Sequence, residues 1–121
     1  MNRAGGPAIA RLTAFGLAAI LACAGPSRAD DPPRRIVSLN QCTDELLLRL
    51  ADRDQVASVT WLSRNPRGSN VAREAAGIAT NQGLAEEVLR LKPDLVVAGL
   101  YTARGAVSML RRTGMRVVEF G

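Results

Sequence analysis

The chain contains no histidine. That removes the commonest general base and the commonest nitrogen ligand for a metal, so triad, zinc-hydrolase and histidine-ligated iron chemistry lose their usual centre. Aromatic residues are 3% of the 121 positions, with a single tryptophan and a single tyrosine. The core therefore has to rest on Leu, Val, Ile and Ala. Cysteine is confined to Cys23 and Cys42. A lone thiol with no histidine to activate it and no second ligand beside it is a weak nucleophile and a weak metal signal. There is no nucleophile elbow, no GxGxxG turn, no Walker motif, and no internal repeat or low-complexity linker. Paired acid–base catalysis by Asp44 and Glu45 is disfavoured as well, because adjacent carboxylates at a helix start serve capping and the helix dipole rather than opposite sides of a cleft.

What the amino-terminal part does hold is an export signal over residues 1–29. Arg3 and Arg11 supply its positive end, Leu12 to Gly25 form an apolar stretch short for a membrane span, and Ser27-Arg28-Ala29 offers small residues for cleavage. Ile20-Leu21-Ala22-Cys23 loosely resembles a lipobox, so lipid anchoring through Cys23 is an alternative end state. Cleavage after Ala29 leaves residues 30–121 as one domain and Cys42 as its only thiol, excluding an internal disulfide. Arg3, Arg11 and Arg28 leave with the signal, and 13 basic residues then face 11 acidic ones. That balance gives no electrostatic footprint for nucleic acid.

The remaining chain alternates strands and helices. RIVSL (35–39) predicts a first strand, followed by a turn over Asn40 to Thr43 and a helix DELLLRLADRD capped by Thr43 or Asp44. VASV (56–59) predicts a second strand and 60–66 a loop. Residues 67–76 suggest a weak helix and 77–79 a short extended piece. In LAEEVLRLKPDLVVAG, residues 84–99, Leu84, Val88 and Leu91 recur at helical spacing, Pro93 stops the helix, and Leu95 to Ala98 form an unalternating apolar run. Such a run suits a strand covered on both faces. A helix over 104–112 and a strand RVVEF (116–120) follow. The pattern predicts an α/β, Rossmann-like lobe: a parallel sheet flanked by helices, with ligands at the strands' carboxyl ends.

Three segments, RIVSLNQCTDELLLRLADRDQVASVTW, NQGLAEEVLRLKPDLVVAGLYT and LRRTGMRVVEF, together resemble the periplasmic substrate-binding proteins of ABC importers for vitamin B12 and ferric siderophores. The second segment is the most specific, and the order of all three is more specific than any one. Members of that family are bilobed, with ligand held between two α/β lobes. The resemblance therefore implies an amino-terminal lobe only, an apparently truncated form of a non-enzymatic, periplasmic solute-binding protein. It implies no protein metal site and no cofactor. Its partners would be a corrinoid or ferric siderophore, with haem a further candidate, and an inner-membrane permease.

The loops after three strands then become the candidate ligand site: Asn40, Gln41 and Cys42; Thr60, Trp61, Leu62 and Arg64; Tyr101 and Thr102. Trp61 and Tyr101 offer apolar faces with a polar handle, against the alternative that Trp61 tucks under its own loop as core. Arg64 suits anionic oxygens, and Cys42 reads as a small, partly buried rim residue. The resemblance implies permease docking for Glu86, for which favourable interaction with the helix dipole is the plainer alternative. Two rival readings are a non-functional remnant and a small α/β enzyme lobe.

Overall fold

Asn40 decides where the first strand ends and the first helix begins. Its backbone is extended, and its side-chain oxygen accepts from the amides of Cys42 at 2.7 Å and Thr43 at 3.4 Å. An acceptor there satisfies amides that have no partner inside the helix. The predicted cap at Thr43 or Asp44 is thus displaced by one helical turn. In this computed structural model, which describes residues 31–121, β1 spans Ile36–Ser38 and α1 spans Gln41–Leu50. Then come β2 (Val56–Thr60), β3 (Thr80–Asn81), α2 (Ala85–Leu91), β4 (Leu95–Gly99), α3 (Arg104–Arg112) and β5 (Val117–Phe120). Short 3-10 turns cover Arg53–Gln55 and Trp61–Arg64. The expected export signal and Cys23 lie outside the described residues.

The five strands form one parallel sheet in the order β3-β2-β1-β4-β5. β1 runs at its centre, with Ile36, Val37 and Ser38 in register with Leu95, Val96 and Val97. Asp94 sets that register: its carboxylate accepts from the amides of Arg34 at 2.8 Å and Arg35 at 3.0 Å, and the Arg35 Nε donates to the Leu91 carbonyl. Successive residues of a strand face opposite sides, and the core divides accordingly. Val37, Leu39, Val96 and Ala98 pack with Ala85, Val88, Val107 and Leu110 of α2 and α3. Ile36, Val56, Val59 and Val97 pack with Leu47 of α1 and with Ala75 and Ile78. The unalternating run in β4 is thus buried on both faces, as its composition predicts.

The weak helix expected over 67–76 does not form. Pro66, Gly68, Ser69 and Asn70 crowd its start, and that stretch folds instead as successive turns. Val71, Ala75 and Ile78 are still buried. Arg53 holds the stretch from outside, donating to the carbonyls of Glu74 and Ala76. The short extended piece expected over 77–79 lies instead just beyond that range, as β3 at Thr80–Asn81. No helix of the described residues is long and apolar enough to cross a membrane.

Candidate functional site

Parallel strands bring their carboxyl ends to one edge, so the loops after β1, β2, β3 and β4 share a rim. Side-chain hydrogen bonds tie these loops together. Asn40, while capping α1, donates through Nδ2 to Thr102 Oγ1 at 2.8 Å and so joins the β1 loop to the β4 loop. Gln41 donates through Nε2 to the Gly68 carbonyl and joins the β1 loop to the chain beyond β2. Buried Asn81 donates through Nδ2 to the Ser38 carbonyl and Ser58 Oγ, both at 2.9 Å, and to the Val59 carbonyl at 3.2 Å. Its Oδ1 accepts from the Gly83 amide at 2.9 Å, so a single amide side chain pins three strands where they open into the rim. Among the described residues, no buried side-chain nitrogen or oxygen is without a partner.

The predicted site residues fall into two groups. Trp61 is 50% exposed and Tyr101 is 84% exposed, so neither is core. Leu62 and Leu100 are exposed beside them. Cys42 stands in the first turn of α1 as a free, exposed thiol, not partly buried as its position suggested. These side chains face solvent from the rim. Asn40, Gln41, Thr60, Arg64 and Thr102 are instead engaged within the protein. Thr60 is buried and bound to Asp44, while a terminal nitrogen of Arg64 donates to the Ile78 carbonyl and draws that guanidinium towards the segment before β3. Beside Tyr101, an open groove of about 600 Å³ runs down α3, lined by Leu100, Arg104, Ser108, Arg111 and Glu119. Arg111 pairs with Glu119 there at 2.7 Å.

Sequence reasoning missed the roles of three rim residues. Asp44, read as a cap, is fully buried within α1 and accepts from Thr60 and Ser63. Ser63 and Asn81 gave no local signal, because their importance comes from partners 19 and 22 to 43 residues away. At the start of α2, the adjacent carboxylates separate cleanly. Glu87 reaches back to the amides of Gln82 at 2.7 Å and Leu84 at 3.4 Å, whereas Glu86 is exposed. No group of three or more His, Cys, Asp or Glu side chains is placed to hold a metal among the described residues.

The parallel sheet carries two exposed aromatic side chains at its carboxyl edge, and similarity to known proteins says what such a lobe resembles. No protein-family model matches the chain. A cobalamin-binding protein of Halobacterium salinarum is 31% identical over 91 residues, which is 75% of this chain and 25% of that protein. The periplasmic vitamin B12 binding protein BtuF of Vibrio cholerae superposes with a TM-score of 0.53 at 28% identity, over 73% of this chain and 34% of that one. The periplasmic haem-binding protein HutB of Vibrio cholerae gives 0.53 at 25% identity, over 71% and 33%. These relatives are solute-binding proteins, not enzymes. The chain thus has the fold of one lobe of a periplasmic binding protein. Within that class it is similar to proteins named for binding cobalamin, vitamin B12 and haem. It spans about a quarter of the length of the curated relative and about a third of the two solved ones.

Proposed function

We propose that the chain forms the amino-terminal lobe of an exported solute-binding protein that carries a corrinoid or a ferric siderophore to an ABC importer. The lobe does no chemistry. The supporting observation is the rim itself, where Trp61 and Leu62 after β2 and Tyr101 after β4 are exposed at the same edge of the sheet, on a scaffold of internal hydrogen bonds. Large apolar faces with few polar anchors suit a corrin ring or a catecholate chelate, and haem fits the same description. The cobalamin-binding relative favours the corrinoid as first candidate. Asn40, Gln41, Thr60, Arg64 and Thr102 contribute by holding the loops, and Cys42 lies at the margin of the surface they present. Export follows from the signal-like residues 1–29, with Cys23 as the alternative lipid anchor.

Glu86 is the proposed contact to the permease, because it is exposed while its neighbour Glu87 is engaged at the helix start. A charge reversal, Glu86→Arg, should abolish association with the permease and leave ligand affinity unchanged. Association that survives the reversal refutes the docking role.

Equilibrium dialysis against cyanocobalamin, haemin and ferric siderophores tests the ligand reading. Trp61→Ala should weaken binding by about tenfold or more, as expected for a buried aromatic anchor. Arg67→Ala, which changes an exposed loop residue, should leave it nearly unchanged. Equal affinities for the two variants refute the Trp61 role.

A further inference from the structure

Asp44 is a fully buried carboxylate that makes no ion pair among the described residues. Arg49–Glu45 and Arg111–Glu119 are the salt bridges among the described residues, and neither includes it. Taking a carboxylate out of water is costly unless hydrogen bonds satisfy it. Here three donors do so. The Thr60 amide is 3.1 Å from both oxygens, Thr60 Oγ1 is 2.5 Å from Oδ2, and Ser63 Oγ is 2.6 Å from Oδ2. Those donors bracket a four-residue turn. Thr60 and Ser63, its two ends, are 5% and 0% exposed, while Trp61 and Leu62, its middle, are 50% and 37% exposed. One carboxylate on α1 therefore grips both ends of the turn that pushes the sole tryptophan outwards.

We propose that Asp44 is the positioning residue of the rim, which holds the Trp61–Leu62 turn in its ligand-ready shape before any ligand arrives. Its role in binding rests on the proposed function above. Its hold on Trp61 does not. The chemistry demands a carboxylate. Both hydroxyls donate to Oδ2 and the Thr60 amide faces both oxygens, so every group around the side chain is a donor. An asparagine keeps the shape but offers one acceptor and sets an NH2 group against a donor. A rigid turn also spares the ligand the cost of ordering a mobile aromatic side chain.

The test uses the full chain and its single tryptophan as a local reporter. In Asp44→Asn, at temperatures where far-UV circular dichroism stays native, Trp61 anisotropy decay should gain a fast component. Affinity for cyanocobalamin, measured by dialysis, should fall about tenfold, the worth of one hydrogen bond to a charged group. A variant of native dichroism with an unchanged Trp61 decay overturns the proposal. If Asp44→Asn does not fold, Ser63→Ala removes one donor and leaves the Thr60 contacts, and the same two readouts decide. Wild-type protein that binds neither cyanocobalamin, haemin nor a ferric siderophore overturns the ligand-site reading alone, and Trp61 anisotropy still decides the hold.

Discussion

Asn40 does two things that a single side chain rarely combines: its oxygen caps α1 and its nitrogen reaches across to Thr102. Removing both in Asn40→Ala should cost about 1–2 kcal/mol, the usual worth of a cap plus a net hydrogen bond. For a domain of this size, each 1 kcal/mol lowers the melting temperature by about 4–8 °C. A melt that does not move would show that water replaces both contacts freely. Gly99 is the complementary case. A Cβ there would sit 3.0 Å from Thr102 Oγ1 and 3.1 Å from Asn40 Nδ2, so Gly99→Ala should push the β4 loop away and break the bridge without touching the cap. The melting temperature of Gly99→Ala should therefore fall by less than that of Asn40→Ala. At this scale the sequence marked the right neighbourhoods but not the roles. Asn40, Gln41 and Thr102 are at the rim as their positions after strands imply, yet Asn40 and Thr102 bind each other and Gln41 binds the Gly68 carbonyl. Nothing in a linear spacing distinguishes a loop-holding amide from a ligand-holding one.

Among the elements, α3 was legible to its exact limits, because Val107 and Leu110 recur at helical spacing and Gly114 follows with a positive φ. Leu110 is fully buried and its neighbour Met109 is 40% exposed. Leu110→Ala should destabilise by about 2–5 kcal/mol and Met109→Ala by well under 1, and chemical denaturation of the two variants measures the contrast. Similar midpoints would mean that α3 is not docked on the sheet through Leu110. The helix predicted over 67–76 failed for a reason that is also local: four turn-forming residues precede Val71, and the arginine that holds the stretch comes from residue 53. The end of α2 shows a milder conflict. Pro93 excludes ordinary helical angles at Lys92, and the residue takes the left-handed conformation with φ 48°. A side chain there carries strain of about 1 kcal/mol. Lys92→Gly should raise the melting temperature by a few degrees, and a fall would place a stabilising contact on the lysine side chain.

Across the whole molecule, the alternation of strands and helices foretold a parallel α/β lobe, but not the strand order or how unevenly its faces are covered. Among the described residues, helices α2 and α3 cover one face, whereas α1 and the turns around Ala75 and Ile78 cover only part of the other. The remainder is an apolar groove of about 300 Å³ lined by Ile36, Leu46, Leu47, Leu50, Val97 and Phe120. Leu50 is 76% exposed and Phe120 is 44% exposed there. The helical spacing of Leu46, Leu47 and Leu50 in DELLLRLADRD puts the three on one side of α1. It could not show that Leu50 stands mostly in solvent at the groove while Leu47 is buried. Contiguous apolar surface of this kind takes up hydrophobic dyes and favours association. The folded chain should therefore enhance the fluorescence of anilinonaphthalene sulfonate. Leu50→Ser should remove most of that signal at little cost in stability, because the leucine is mostly in water already. Leu47→Ala should instead cost about 2–5 kcal/mol, since that side chain is only 7% exposed in the core beneath the same helix. A folded chain that leaves the dye dark, or a Leu50→Ser variant as unstable as Leu47→Ala, would show that this face is closed in solution.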